Sequence, residues 1–246
     1  MTHIGTQFGR AAADYDRGRP SYPLAAVRWL LEGTTGAVAD VGAGTGKLTQ
    51  MVAGLGRDVT AIDPDPVILE ALHRALPHVP TAVGTAEGLP LPSGSIGAVV
   101  CAQAWHWVDV ERASAEAARV LRPGGTLGLI WNIRDAREPW VARLSAVMRG
   151  SHAEDLIEGD GPRVGAPFGP LETYREEWSR PVTREEITSL VHSRSYYITG
   201  TEDYRAGVDA GLAELLEDLS GLADGGTVTL PYVTHAFRVR HEAPGA

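Results

Sequence analysis

Ten residues, Ala37 to Gly46, constrain this chain more than any others: the apolar run Ala-Val-Ala-Asp-Val feeds directly into a loop with glycine at 42, 44 and 46. A chain that leaves a strand and turns at once into a helix needs backbone angles that a side chain resists. Its amides also come close to any ligand at the helix start. The segment therefore reads as a nucleotide-binding turn at the carboxyl edge of an open sheet.

Three nucleotide loops compete for this spacing. A phosphate-cradling loop requires glycine five residues before Gly46 and Ser or Thr after Lys47, where the chain has Val41 and Leu48. A dinucleotide fingerprint requires its third glycine at position 47, which is Lys47, so that reading is weakened but stays open. An Asp-x-Gly-x-Gly-x-Gly loop suits a zwitterionic amino-acid tail. Amides at the helix start meet its carboxylate, and Asp40 holds the ammonium region directly or through water. S-adenosylmethionine carries such a tail, whereas an ordinary glycine-rich turn would bind nothing.

Composition narrows the setting. The chain has 246 residues, 43% hydrophobic and 22% charged, enough for one sizeable core, with or without a cap. Cys101 is the single cysteine, and the eight histidines show no ligand-like pairing with carboxylates, so neither a disulfide nor a metal is expected. A net charge of -9 argues against a large nucleic-acid footprint and leaves small molecules as the expected partners. The first residues lack an apolar signal core and no run reaches membrane-spanning length, so the expected location is the cytoplasm, with no membrane partner.

From 37 to 131 apolar strands alternate with helical stretches, the pattern of parallel strands joined by crossover helices. Strands are expected at 37–41, 58–63, 81–85, 96–101 and 126–131, with helices at 48–55, 66–76 and 110–121. Beyond 131 the pattern changes to a helix at 138–148 and a polar, glycine-rich connection at 150–170 that reads as a loop or lid. A strand at 171–182 follows, then a helix opened by the capping box Thr183-Arg-Glu-Glu186, a helix at 203–219 and a last strand at 227–240.

The second strand ends in Asp63, about 20 residues past the loop, where a carboxylate meets a ribose. A nicotinamide enzyme would share that acid. The third strand runs into Thr85-Ala-Glu-Gly-Leu-Pro90, and Glu87 there can accept from an exocyclic amine. The fourth strand ends in Gln103-Ala-Trp-His-Trp107 at the mouth of the crevice. His106 is a candidate general base, against a bland role in ordering the loop. Trp105 and Trp107 are candidates to line the acceptor pocket, against ordinary core packing.

Together Asp40-Val-Gly-Ala-Gly-Thr-Gly46, Ile62-Asp63, Thr85 to Pro90, Gln103 to Trp107 and Val120-Leu-Arg-Pro-Gly-Gly125 resemble the class I S-adenosylmethionine-dependent methyltransferases, in particular the trans-aconitate methyltransferase-like small-molecule branch. The resemblance implies an α/β, Rossmann-like, doubly wound seven-stranded sheet with its last strand antiparallel. It also implies one domain over 1–246 with a mainly helical cap from about 1–23, 132–170 and 183–225.

By matching position, it implies that Asp40, Gly42, Ala43, Gly44, Thr45 and Gly46 hold the methionine end and Asp63 the ribose. Ala86 and Glu87 would hold the adenine with Pro64 beside it, and Gln103 and Ala104 would border the methionyl part. Tyr15 and Arg19 would belong to a cofactor-covering segment. The implied reaction is methyl transfer to a small-molecule carboxylate or hydroxyl without a metal, leaving S-adenosylhomocysteine. A nicotinamide oxidoreductase and a cofactor-binding protein that transfers no methyl remain the alternatives.

Overall fold

The computed structural model describes residues 18–148 and 152–241. Tyr15 and most of the expected amino-terminal cap segment lie outside them. Helix α1 (Leu24–Leu31) precedes β1 (Val38–Val41), α2 (Lys47–Gly54), β2 (Val59–Asp63), α3 (Pro66–Ala75), β3 (Thr81–Val83) and β4 (Ile96–Ala102). A 3-10 turn at Trp105–Trp107 leads to α4 (Val110–Val120), β5 (Leu121–Arg134), α5 (Pro139–Val147) and α6 (His152–Glu158). The chain continues through β6 (Glu172–Val182), α7 (Arg184–His192), α8 (Ser195–Thr199), α9 (Glu202–Asp218) and β7 (Val228–Arg240).

The seven strands form one sheet in the order β3-β2-β1-β4-β5-β7-β6. Strands β1 to β5 pair in parallel, while β7 runs antiparallel to both β5 and β6. The order reverses between β1 and β4, and a crevice opens there at the carboxyl edge. The antiparallel register sets Tyr232 opposite both Arg134 and Trp178, so the start of β7 and the ends of β5 and β6 share that edge.

Strand alternation distributes the core. In β4, Ala98 and Val100 pack on one face with α1 and α2, while Val99 and Cys101 pack on the other with α4. A third cluster joins α5, α7 and α9 to Tyr232 and Leu230 of β7 and Val182 of β6. Helix starts follow the sequence: Asp65 accepts from the Val67 amide ahead of Pro66, Asp109 accepts from the Arg112 amide, and Thr183 with Glu186 closes a capping box. Each cap contributes about 1 kcal/mol.

The stretch 150–170 differs from its expected character as a loop. Residues His152–Glu158 are helical, with Ala153 buried and Leu156 and Ile157 packed against the core on the α4 side. Docking stabilises a seven-residue helix that would be marginal alone.

Candidate active site

The glycine loop leaves a gap over Gly44, and two polar atoms buried in and under it have no partner. Gly42, Gly44 and Gly46 all have positive φ, at 70°, 56° and 91°. A Cβ on Gly42 would lie 2.9 Å from the Ala104 methyl and one on Gly46 2.9 Å from Leu72 Cγ, whereas nothing lies within 4 Å over Gly44. The amides of Gly42 and Ala43 donate to the Ile62 carbonyl and clamp the loop to β2.

Asp40 is fully buried under this loop. Its Oδ2 accepts from Thr49 Oγ1 at 2.6 Å, while its Oδ1 and the nearby Thr45 hydroxyl are buried without a partner. Burial pushes the Asp40 carboxyl up to about 7, against the pull of the Thr49 hydrogen bond.

Asp63 accepts from the Gly44 amide at 2.9 Å and the Asp65 amide at 3.0 Å, one on each oxygen, leaving lone pairs on both for a diol. Burial raises its carboxyl as well, although both amides favour the charged form. Gln103 closes the crevice with φ 56°, a strained angle for a residue with a side chain, and its Nε2 donates to the Asn132 carbonyl. Ala86 is buried and Pro64 exposed beyond β2. Glu87 accepts from the Asp109 amide at 2.9 Å, so it ties the third-strand loop to the start of α4.

On the side of β5, β7 and β6 a hydrogen-bonded chain crosses the sheet edge. The Trp178 indole donates to the Thr234 hydroxyl, which donates to Asn132 Oδ1, and Asn132 Nδ2 donates to the Ser21 carbonyl. Beside it, residues 19–23, Lys47, Trp178, Arg180 and Glu186 line a cavity of about 460 Å³, a size suited to a small ligand.

Arg134 bonds Glu154 and the Ser145 hydroxyl, Arg180 bonds Glu186, and Arg19 donates to the Ser193 hydroxyl. The Nε groups of Arg134, Arg180 and Arg194 and the Tyr232 hydroxyl are buried without a partner. Burial and the charges of Arg19 and Arg134 loosen the proton of Arg194.

His106 sits between these two halves. The Trp131 indole donates to its Nδ1 at 3.3 Å, which leaves the ring proton on Nε2. Burial, then the charges of His152, Arg19 and Arg194, lower its pKa to about 4. Trp105 does not open onto the cavity: it is 3% exposed in the core and its indole donates to the Arg163 carbonyl at 2.9 Å. Trp107 is 45% exposed and meets the edge of His152 at 5.2 Å. Burial raises the Cys101 thiol, so this side chain is inert core.

A methyltransferase domain model matches residues 39–129. An uncharacterized methyltransferase of Mycobacterium tuberculosis is 44% identical over 237 residues, covering 96% of each chain. The chain belongs to the class I methyltransferases. A methyltransferase-like protein of Schizosaccharomyces pombe is 32% identical over 251 residues, covering 96% of this chain and 95% of its own. A solved structure from Anaeromyxobacter dehalogenans, described as a candidate type II methyltransferase, superposes with a TM-score of 0.69 at 26% identity over 91% of this chain and 98% of that one. The chain is therefore an S-adenosylmethionine-dependent methyltransferase with the expected seven-stranded fold.

The fold of this methyltransferase brings the loop residues 40–46, Asp63 and the segment 103–104 to one edge, and adds Asn132, Arg180 and Tyr232, which the sequence did not single out as site residues. Among the described residues no cluster of His, Cys, Asp and Glu could hold a metal, and no helix is long and apolar enough to cross a membrane. The geometry of His106 makes a measurable prediction. Nitrogen NMR should show an unprotonated Nδ1, a protonated Nε2 and no titration between about pH 5 and 8; ordinary titration near 6.5 would contradict the contact with Trp131.

Proposed function

We propose that this methyltransferase moves a methyl group from S-adenosylmethionine to an oxygen, a carboxylate or a hydroxyl, of a small-molecule acceptor bound between the sheet edge and the cap. The whole chain acts as one domain, with 132–170 and 183–225 and the amino-terminal segment forming the cap. S-adenosylmethionine supplies an electrophilic methyl group on a sulfonium. The protein's task is then to align two partners and exclude water, and alignment alone can supply roughly 7 to 11 kcal/mol.

The observation that carries the cofactor assignment is the pair of orphaned buried atoms in the glycine-loop segment, Asp40 Oδ1 and Thr45 Oγ1. An ammonium and a carboxylate of an amino-acid tail satisfy one each. Asp63 would take the ribose diol, with Ala86, Glu87 and Pro64 near the base and Gln103 and Ala104 along the methionyl part. A small-molecule acceptor is supported by the cavity of about 460 Å³ and by the resemblance to the trans-aconitate branch.

Calorimetry tests the reading. S-adenosylmethionine or its demethylated product should bind in the micromolar range, about -7 to -8 kcal/mol. Binding of a nicotinamide cofactor with no response to either sulfur compound would overturn it.

A further inference from the structure

We infer that the free edge of β6 is an interface for a second copy of this chain, and that two β6 strands pair antiparallel about a two-fold axis at Glu176, joining two seven-stranded sheets into one.

The two edges of the sheet differ. Strand β3 is an edge of 3 residues, whereas β6 runs for 11 residues and pairs only with β7. A long edge carries a row of main-chain donors and acceptors that other strands can use. Pro231 shows which residues of β6 present them. It lies opposite Ser179, has no N–H, and turns its carbonyl to the Asp135 amide on the β5 side. At that pair the main-chain groups point away from each other, so those of Ser179 point out of the sheet. The register from 172 to 182 is unbroken, so Thr173, Arg175 and Glu177 do the same. Among the described residues no backbone hydrogen bond from another segment reaches these four, and their side chains are exposed.

Charge at an edge ordinarily keeps copies apart. Here the order of the charges is its own complement. With the axis at Glu176, Arg175 of each copy faces Glu177 of the other and Glu172 faces Arg180, while Tyr174 faces Trp178 and Thr173 faces Ser179. Symmetry makes each of these pairs twice. The exception is Glu176 facing itself, a like pair whose carboxylate already accepts from the Tyr174 hydroxyl at 2.9 Å. Moving the axis by one residue either way leaves no opposite-charge pair and sets Arg175 or Glu177 against itself. The axis at Glu176 also makes 173 with 179 and 175 with 177 the hydrogen-bonded pairs, as the outward-pointing groups require. The run ends at Pro181, which has no N–H to donate.

The interface adjoins the site. Trp178 and Arg180 line the cavity of about 460 Å³, and their side chains lie on the same face of the sheet as the Tyr174 and Glu172 of the second copy that stand opposite them. The second copy therefore forms part of the cavity's rim.

Sedimentation velocity of the full chain from about 1 to 100 µM should show a monomer passing to a dimer, since one strand pair is a small interface. Arg175→Glu and Glu177→Arg each put like charges opposite each other, so each alone should associate about 10-fold more weakly than the parent. Mixed together they should form a heterodimer, because every 175–177 pair across the axis is then of opposite sign. Cysteine at the axis gives a second reading, as the native Cys101 is buried. Under mild oxidation Glu176→Cys should link two chains at least about 10-fold faster than Ser179→Cys, whose partner strand presents Thr173 instead of a second cysteine. A monomer throughout the concentration range, a mixture no more associated than its parts, or equal cross-linking at 176 and 179 would overturn the inference.

Discussion

Asp63→Ala should bind S-adenosylmethionine at least 100-fold more weakly than the parent. Two charge-assisted hydrogen bonds to a ribose diol contribute on the order of 1.5 to 3 kcal/mol each, and the variant loses both. It also strands the Gly44 and Asp65 amides, which donate to Asp63 at 2.9 and 3.0 Å, so the loop loses the clamp that fixes its ligand-facing shape. Asp63→Asn separates the two effects. Its oxygen can keep one amide, but its NH2 faces the other, so affinity should fall between the parent and the alanine variant. Calorimetry with S-adenosylhomocysteine reads both; an alanine variant within threefold of the parent would move the ribose contact away from β2.

The glycine-loop half of the candidate site was legible as a fold feature because it is local. A strand, a glycine loop and a helix start are contiguous, so the residue types at 40, 42, 44 and 46 specify the turn before anything else folds. Asp63 was legible for a related reason: in a doubly wound sheet, the end of the second strand must lie beside that loop. The cap was not. Five arginines, at 134, 137, 163, 194 and 205, stand out in its sequence among acids, yet 137, 163 and 205 are exposed, and Arg137 pairs with Asp135 and Glu177. Only Arg134 and Arg194 turn inward; Arg134 is set opposite Tyr232 by the antiparallel register of β5 and β7, a long-range pairing that spacing does not encode, and Arg194 feels its charge from the start of α8. Tyr232 falls inside the expected last strand, beside the irregularity at Pro231; its buried hydroxyl acquires meaning only opposite Arg134. Helix α6 was hidden for the same reason, since docking stabilises it more than propensity does. Trp105 shows the converse, an aromatic at the crevice mouth whose indole is drawn into the core by the Arg163 carbonyl.

Asp40→Asn should make the cofactor-free protein more stable and the enzyme worse. The Asp40 carboxyl is pushed up to about 7 in the folded chain by burial, from an ordinary value of 3.8. Between those values the folded state binds more protons than the unfolded one, so this group lowers stability as pH rises; the penalty is absent below 3.8 and complete above about 7. At pH 8 it amounts to roughly 2 to 4 kcal/mol. Asparagine removes it, and its side-chain oxygen can still accept from Thr49. The melting temperature should rise by about 5 to 10 °C at pH 8 and by little at pH 4.

The same substitution should weaken S-adenosylmethionine binding about 10-fold or more, because the ammonium of its tail loses the ionised Oδ1 that is otherwise unpartnered. In the parent, affinity should improve as pH rises toward 7, by up to about one decade per unit, since binding a cation requires the carboxyl to give up its proton. In the variant that slope should vanish. Calorimetry in two buffers of different ionisation enthalpy measures the released proton directly. A variant that melts lower than the parent at pH 8, or a parent whose affinity ignores pH, would show that Asp40 is a structural acid with no hold on the cofactor.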